Sequence, residues 1–392
     1  QLGIYPTVHR ADQLYKTGAY TEAIIIALQQ RERIRQILKA ETGRATPDDW
    51  NPFNPLCQAC GRINQANVLG FSAEARTVDY ACACGQRGTV SMAGSGKLTW
   101  RVDWPARWKI FGVTVEPFGK DHASRGGSYD TGMRIAREVY GIEPPFPVPY
   151  EWLSLAGKGD MSSSKGNVLS IHAMLEVVPP EVLRYLILRA PPQRSIRLDP
   201  GLPLLQLIDE YDDVEAKNRD SRALELAAIS GIKPVGVPYR HMVTVVQAAQ
   251  GDADTWMEIL RRNGYQLDNT EELRQRAAYA QQWLETFAPE ELRFRVQDQL
   301  PPAASELTPE QKQALQLLGE RLRAGMTGEQ IHQLIYTLKD ELDTKPDLLF
   351  KGIYLALLGK TQGPRAGWFL STLDTSFVKQ RFAEAASAIG GA

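Results

Sequence analysis

The sequence predicts an α/β region followed by an all-α region, with a small cysteine-bearing module near the N-terminus. Between residues 97 and 189, short apolar stretches at 108–115 and 168–171 alternate with a helical pattern at 130–140, which is typical of α/β domains. From about residue 200 onwards, nearly every segment has helical periodicity. All four cysteines lie in one short stretch, and a length of 392 residues is enough for two or three domains.

The composition is that of a folded protein, with 43% hydrophobic and 23% charged residues. No apolar run approaches the roughly 20 residues needed to cross a bilayer, and the N-terminus has no signal-peptide pattern. We therefore expect no membrane span and a cytoplasmic location. The formal net charge of −1 neither requires nor excludes a nucleic-acid partner, because a binding face can be locally basic.

The helical and extended segments follow one another in a clear order. Residues 10–40 have a helical pattern, residues 44–56 carry three prolines that break it, and residues 144–150 hold four prolines that predict a stiff extended connector. Pro180 opens a helix at a favoured first-turn position. The remaining predicted helices are 180–188, 203–211, 221–229, 270–287, 309–324, 328–342 and 377–386.

The cysteines form two close pairs, Cys57/Cys60 and Cys82/Cys84, separated by the 21 residues at 61–81. Two such pairs on tight turns place four thiolates around one tetrahedral ion, and Gly61 and Gly85 suit those turns. A closed structural zinc site is the interpretation that we favour, because four cysteines leave no open coordination position. Buried thiols or a redox pair are the alternatives.

A short polar loop at residues 157–167 contains three consecutive serines, two lysines and three glycines. Hydroxyl groups, an ammonium group and glycine amides together are suited to surround a polyphosphate. A plain linker would also be rich in serine and glycine, but Met161 and the ordered apolar residues at 168–171 argue against that reading.

Residues 98–108 pack three tryptophans, two arginines and one aspartate into eleven positions. Tryptophan at every fourth position suits a buried helix face, although Pro105 argues against an unbroken helix. A carboxylate beside aromatic rings also suits a primary ammonium ligand. Asp103 is our candidate for that ion pair, and a simple core role remains the alternative for Trp108. The turn at 119–122 then follows a strand-like stretch, where open α/β sheets bind ligands.

The run from Met161 to Asn167 resembles the second signature, usually written KMSKS, of class I aminoacyl-tRNA synthetases. Its Ser-Ser-Ser-Lys form is similar to class I lysyl-tRNA synthetases. The two usual lysine positions hold Asp160 and Ser163 here, and a lysine lies instead at Lys165. The resemblance implies a Rossmann-type catalytic domain, represented by its second half, with a zinc-bearing insertion and a C-terminal α-helical cage.

The resemblance also implies a reaction, in which ATP with Mg²⁺ activates L-lysine and the lysyl group is transferred to tRNA(Lys). The loop closes over the ATP phosphates in that family, and a pocket holds lysine and its adenylate. The implied catalytic residues are Ser162, Ser163, Ser164 and Lys165. The expected ATP-binding residues are Gly119, Asp121, Met161, Lys165 and Asn167, and the expected substrate-binding residues are Trp100, His122 and Tyr150, with Asp103 as our own addition.

In the C-terminal half, the resemblance implies a stem-contacting helical bundle followed by an anticodon-binding cage. Arg365 is our candidate to hold a tRNA phosphate and Trp368 to stack on an unstacked base. A core role is the alternative for Trp368 and also for Phe350 and Tyr354. The expected parts of the chain are a helical connecting segment, a zinc-binding insertion, the second Rossmann half, a stem-contact domain and an anticodon-binding domain, at 1–56, 57–96, 97–200, 201–300 and 301–392.

Class I synthetases carry a first signature, His-x-Gly-His or a related form, and none of the five histidines begins such a pattern. We expect that on the order of a hundred N-terminal residues are absent, about what half a Rossmann domain requires, and that this polypeptide alone does not activate lysine. A non-catalytic tRNA-binding paralogue or fragment is the main alternative function. A glutamyl-specific class I enzyme is a further one, against which the tryptophan-rich segment and the serine loop argue.

Overall fold

The computed structural model describes residues 2–162, 164, 166–217, 222–229 and 235–388. The chain divides into two compact units. The N-terminal unit comprises Ile4–Leu153 and Pro191–Ile196, and the C-terminal unit comprises Gln1–Gly3, Ser154–Ala190 and Arg197–Ala392. Within the described residues, no helix is both long and apolar enough to span a membrane.

The N-terminal unit begins with three helices that replace the single helical stretch expected at 10–40. Gly43 ends the third helix in the left-handed conformation, a common helix terminus. Ile24, Ile34 and Ile37 are fully buried in one hydrophobic core that also receives Phe53 and Leu98. The helices are α1 (Ala11–Lys16), α2 (Thr21–Gln29) and α3 (Arg31–Thr42).

A small antiparallel β module follows these helices. Strands β1 (Phe53–Pro55) and β5 (Gly96–Leu98) pair with each other, while β2 (Ala66–Ser72), β3 (Thr77–Cys82) and β4 (Arg87–Ser91) form a three-stranded sheet in the order β2-β3-β4. Val78 and Tyr80 on the central strand are buried. The module therefore closes on itself, with β1 and β5 as its two ends.

The α/β part of this unit contains a parallel strand pair, β6 (Val115–Gly119) and β7 (Phe146–Tyr150), with Gly119 opposite Tyr150. Helices α4 (Trp100–Phe111) and α5 (Ser128–Glu138) pack against each other. The predicted strand-like stretch at 108–115 was placed too early, because α4 runs to Phe111.

The expectation of an extended chain at 144–150 is confirmed, but the expectation that Pro105 interrupts a helix was wrong. The proline-rich connector at 144–150 contains strand β7. Pro147 and Pro149 lie two residues apart, so their missing N–H groups fall on the same edge and leave the other edge free to pair with β6. Pro105 lies inside α4 without breaking it. Its ring removes the donor for one intrahelical hydrogen bond, and the buried tryptophans of the helix offset that loss.

The C-terminal unit begins with a three-stranded sheet in the order β10-β8-β9, formed by β8 (Leu153–Leu155), β9 (Gly159–Asp160) and β10 (Ile196–Leu198). The predicted helix at Pro180 is confirmed with the same bounds, Pro180–Leu188. Residue Ser221, the predicted start of another helix, lies outside the described residues. The helices up to residue 262 are α6 (Ile171–Leu175), α7 (Pro180–Leu188), α8 (Leu202–Ala216), α9 (Arg222–Ala227), α10 (Tyr239–Ala248) and α11 (Ala253–Arg262).

The rest of this unit is helical, as predicted. Capping boxes at Thr308/Gln311 and Thr327/Gln330 fix the starts of two helices. A core around Ile335, Ile353 and Phe369 joins the last five helices. The helices are α12 (Thr270–Thr286), α13 (Pro309–Arg321), α14 (Gly328–Glu341), α15 (Pro346–Leu358), α16 (Ala366–Thr372) and α17 (Thr375–Ser387).

Candidate functional site

The four cysteines meet at one point of the β module. Cys57 follows β1, and Cys82 ends β3. The sulfur atoms of Cys57 and Cys84 are 3.7 Å apart, those of Cys60 and Cys82 are also 3.7 Å apart, and all four lie within 4.8 Å of one another. A zinc–sulfur distance of about 2.3 Å in a tetrahedron requires sulfur–sulfur distances of about 3.8 Å. The geometry therefore fits a tetrahedral metal ion.

Backbone hydrogen bonds shape the two cysteine turns and act on the Cys57 thiol. Gly61 donates its N–H to the carbonyl oxygen of Cys57, Gly85 donates to that of Cys82, and both glycines have positive φ angles, as the two predicted turns require. Backbone N–H groups of Cys60 and Ala59 lower the pKa of the Cys57 thiol to about 6, against the opposing effect of burial. A thiolate is the form that binds a metal.

The second feature is the turn after β6, at the carboxyl ends of the parallel strands. The pairing of Gly119 with Tyr150 brings the two strand ends side by side, and His122 lies in the short 3₁₀ turn Lys120–Ala123 that follows. Lys120 forms an ion pair of 2.6 Å with Glu151, which joins the two loops. This is the edge at which open parallel sheets bind ligands.

Helix α4 lines this edge with aromatic rings. The centroids of Trp100 and Trp104 are 5.3 Å apart, and His122 lies 5.8 Å from Trp100 and 5.5 Å from Trp104. Trp100 is 44% exposed and Tyr150 is 49% exposed, whereas Trp108 is only 1% exposed. The structure thus brings Trp100 and His122 together on an accessible surface and places Trp108 in the core, as its alternative reading stated.

Glu116 on β6 is a residue of this site that the sequence analysis missed. Its two carboxylate oxygens accept hydrogen bonds from the indole N–H groups of Trp104, at 3.0 Å, and Trp108, at 2.9 Å. Buried indole N–H groups usually find an acceptor, so the tryptophan spacing itself was the signal for such a residue. Glu116 fixes the orientation of both rings.

The contacts of Asp103 argue against its predicted role as the ammonium partner. Its Oδ1 accepts a 2.6 Å hydrogen bond from the Tyr15 hydroxyl, and its Oδ2 forms an ion pair with Arg107. The side chain is 2% exposed as well. Burial and the neighbouring Asp103 carboxylate raise the pKa of Tyr15, which keeps that hydroxyl a donor. These contacts favour a structural role, in which Asp103 ties α1 to α4.

The serine loop lies in the C-terminal unit. Asn167 accepts a 2.9 Å hydrogen bond from the Ser162 amide and donates to the carbonyl oxygens of Lys158, at 3.2 Å, and Asp160, at 2.9 Å. The hydroxyl groups of Ser162 and Ser164 lie 2.9 Å apart. Asn167 therefore shapes the loop around these hydroxyls. The predicted catalytic residues Ser163 and Lys165 lie outside the described residues.

Near the start of α16, the guanidinium group of Arg365 stacks on the Trp368 ring at 3.6 Å. Arg365 is exposed and Trp368 is half-buried. Tyr354, in contrast, is buried and donates a 2.5 Å hydrogen bond to the Pro364 carbonyl oxygen. It is therefore a core residue, which was the alternative interpretation. An exposed cation on an aromatic face is a suitable contact for an unstacked nucleotide.

Residues 1–230 match the family described as tRNA synthetases class I (K), and residues 252–386 match an anticodon-binding domain. The chain is 48% identical over 414 residues to lysine–tRNA ligase 1 of Methanosarcina acetivorans, covering 99% of the chain and 78% of that protein. It is 45% identical over 382 residues to the lysine–tRNA ligase of Archaeoglobus fulgidus, covering 97% of the chain and 76% of that protein.

The chain belongs to the class I lysyl-tRNA synthetase family. The resemblance and the fold class predicted from the serine loop are thereby confirmed. A solved glutamate–tRNA synthetase of Elizabethkingia anophelis also matches, with 12% identity, 96% of this chain and 83% of that chain covered, and a TM-score of 0.40. That score is too low to support an argument.

Within this class I lysyl-tRNA synthetase, the predicted site residues fall into four groups, of which the four-cysteine cluster is one. Trp100, Gly119, Asp121, His122 and Tyr150 surround the ends of β6 and β7 in the N-terminal unit. The described residues of the serine loop and the Arg365/Trp368 pair belong to the C-terminal unit.

Proposed function

We propose that the protein is a lysine–tRNA ligase that activates L-lysine with ATP and transfers it to tRNA(Lys). The observation that carries this function is the 48% identity, over 99% of the chain, to a lysine–tRNA ligase. A carboxylate oxygen of lysine attacks the α-phosphorus of ATP, and pyrophosphate leaves. A ribose hydroxyl at the tRNA terminus then attacks the carbonyl carbon, and AMP leaves. The chemistry requires positioning and charge stabilisation without a covalent protein intermediate.

For the amino-acid side of the site, we assign Trp100, His122 and Tyr150 to the pocket for lysine and its adenylate. Trp100 and Tyr150 are exposed enough to contact a ligand, and an aromatic face attracts an ammonium group. Gly119 and Asp121 lie at the end of β6, where the adenylate would approach the backbone and the Asp121 carboxylate would accept from ribose hydroxyls. These assignments are supported by the position of the residues at the ends of β6 and β7 and by the exposure of Trp100 and Tyr150.

For the phosphate side, we assign Met161, Ser162, Ser164 and Asn167 to the ATP-binding loop, together with Ser163 and Lys165. The described hydroxyls lie close together, and Asn167 holds the backbone that carries them. A Mg²⁺ ion bound with ATP would neutralise phosphate charge as pyrophosphate leaves. Asp160 occupies a position at which the family signature has lysine. Lys165 and the nearby Lys158 therefore supply the positive charge of this loop.

For the metal, we assign zinc to Cys57, Cys60, Cys82 and Cys84. The donor set of four thiolates and the 3.7 Å sulfur separations match zinc in a closed structural site. A structural zinc would contribute to the folding of this small β module by holding together the turns that carry the two cysteine pairs. For tRNA, we assign Arg365 and Trp368 to contacts with the anticodon loop. The five-part division of the chain, at 1–56, 57–96, 97–200, 201–300 and 301–392, also remains our proposal. A role in translation places the protein in the cytoplasm.

Lysine-dependent ATP–pyrophosphate exchange and the aminoacylation of tRNA(Lys) test this function. Both are measured on the protein expressed from its natural reading frame and, in parallel, on the 392 residues. Lysine is expected to support exchange and glutamate is not. Trp100→Ala should raise the KM for lysine by about tenfold or more, the loss of one aromatic contact to an ammonium group.

Trp50→Phe is the matched control, since Trp50 is a half-buried tryptophan of the same unit that packs on its hydrophobic core. It should leave the KM for lysine unchanged. Exchange with glutamate but not lysine would overturn the substrate assignment. A protein that binds tRNA(Lys) but supports no exchange in either form would instead be a non-catalytic paralogue, an outcome that the departure at Asp160 makes worth testing.

A further inference from the structure

A turn at residues 124–128, which we call the glycine turn, connects the 3₁₀ segment of His122 to helix α5 in the N-terminal unit. Gly126 in this turn has a φ angle of +71°, and a Cβ there would lie 2.4 Å from the carbonyl oxygen of Glu41 in the last turn of α3. A side chain at this position would meet both an unfavourable backbone conformation and the neighbouring helix. The glycine turn therefore packs closely against α3 through its backbone.

Two residues of the proposed pocket, Trp100 and His122, contact the glycine turn. The Ser128 hydroxyl accepts a hydrogen bond of 3.3 Å from the indole N–H of Trp100. A Cβ on Gly127 would lie 2.6 Å from the carbonyl oxygen of His122, so the backbones of these two residues are in close contact. A displacement of the glycine turn would therefore displace both the Trp100 ring and the His122 segment.

Arg101, the residue after Trp100 in α4, binds the glycine turn from one side. Its Nη1 donates to the carbonyl oxygens of Gly127, at 2.8 Å, and Gly126, at 3.3 Å, and to the hydroxyl of Thr131, at 2.9 Å. Thr131 is fully buried in α5. Hydrogen bonds from a charged donor are stronger than those between neutral groups. Arg101 therefore links α4 to both the glycine turn and the start of α5.

Asp130 binds the glycine turn from the other side. Its Oδ2 accepts a hydrogen bond of 2.9 Å from the N–H of Gly126, and it lies in the first turn of α5, where a carboxylate is favoured by the helix dipole. The carbonyl group of Gly126 is thus bound by a cation and its N–H group by an anion. Without Arg101, both carbonyl groups would lose their charged donor, and the backbone of the turn could shift.

We propose that Arg101 is a positioning residue for lysine activation, which holds the glycine turn and, through it, the Trp100 ring and the His122 segment. The inference rests on the proposed function, since it assumes that Trp100 and His122 face lysine and its adenylate. Activation requires the reacting groups to be held in a precise arrangement, and a misplacement of about 1 Å can lower a rate by about a hundredfold. Arg101 acts through its neighbours, because its Nη1 is bound to acceptors of the protein itself.

Lysine-dependent ATP–pyrophosphate exchange by the protein expressed from its natural reading frame provides the test. Arg101→Met keeps an unbranched apolar side chain but removes the guanidinium group, and kcat/KM for lysine should fall about tenfold. Arg101→Lys restores a cation with N–H donors and should recover part of that loss. The matched control is Arg137→Met in α5, because the Arg137 side chain is 55% exposed in its ion pair with Glu143. It should leave kcat/KM unchanged.

A double-mutant cycle with His122→Ala separates positioning from a general structural loss. If Arg101 acts through the His122 segment, Arg101→Met should lower kcat/KM by only about threefold or less in the His122→Ala background. The same factor in both backgrounds, no recovery by Arg101→Lys, or an unchanged kcat/KM for Arg101→Met would overturn the inference while leaving the proposed function intact. Failure of the unaltered protein to support lysine-dependent exchange would instead refute the proposed function, and this inference with it.

Discussion

The Glu116→Gln variant tests the aromatic wall of the proposed lysine site most directly. Glu116 accepts from two indole N–H groups, of which Trp104 is 4% exposed and Trp108 is 1% exposed. A glutamine keeps one acceptor oxygen, but its amide N–H₂ group faces the other indole donor. One buried donor is then unsatisfied, which costs about 1–3 kcal/mol. We expect a local destabilisation of about 2 kcal/mol in α4.

Hydrogen exchange measured by mass spectrometry is the suitable assay, because the chain has two compact units and need not unfold in one step. A loss of about 2 kcal/mol should accelerate exchange of α4 amides roughly 30-fold. Glu143→Gln is the control, since the Glu143 side chain is 77% exposed in its ion pair with Arg137, and a surface pair contributes little. Exchange of α4 in Glu116→Gln within about threefold of the unaltered protein would refute the reasoning.

The other predictions concern the metal, the serine loop and the helical domain. Cys60→Ser should abolish zinc binding, measured as the zinc content per chain by plasma mass spectrometry. One zinc ion per chain in the variant would contradict the four-thiolate site. Asn167→Asp keeps the acceptor for Ser162 but removes both amide donors, so kcat for lysine activation should fall about tenfold; an unchanged kcat would exclude a positioning role. Gly367→Ala places a Cβ 2.2 Å from the Gly328 carbonyl oxygen and should destabilise α16 by about 3 kcal/mol, measured by hydrogen exchange of its amides. Gly319→Ala, with its nearest contact at 3.5 Å, should not accelerate exchange.

The features that the sequence predicted well are those set by neighbouring residues. The two cysteine turns depend on spacings of two and three positions between the cysteines and on a glycine after each pair, so their geometry is local. The start of α7 depends on Pro180, and the capped helices of the C-terminal half depend on a threonine three residues before a glutamine. In each case, the interaction that decides the structure lies within one turn of chain.

The features that the sequence did not predict depend on distant partners. Strand β7 contains alternating prolines, which favour an extended chain, but only its pairing with β6, about thirty residues earlier, makes it a strand. Helix α4 tolerates Pro105 because Trp104 and Trp108 are buried against Glu116 and neighbouring rings. Local propensity is overridden in both segments by contacts that no short window contains.

The two aspartates that the sequence analysis assigned to ligand contact, Asp103 and Asp121, differ in the partners of their carboxylates. Asp103 and Asp121 both lie near aromatic residues in the sequence. Both carboxylate oxygens of Asp103 are nevertheless occupied, one by the hydroxyl of Tyr15, 88 residues away, and the other by Arg107. The Asp121 side chain is 50% exposed, and its Oδ2 lies 3.7 Å from Nε2 of His122. A Cβ on Gly119 would lie 2.7 Å from Asp121 Oδ1, so the glycine allows that carboxylate to lie over the end of β6. An accessible carboxylate held at a strand end can accept from a ligand, whereas a buried carboxylate with both oxygens bonded cannot, and this difference supports the proposed contact of Asp121 with the ligand.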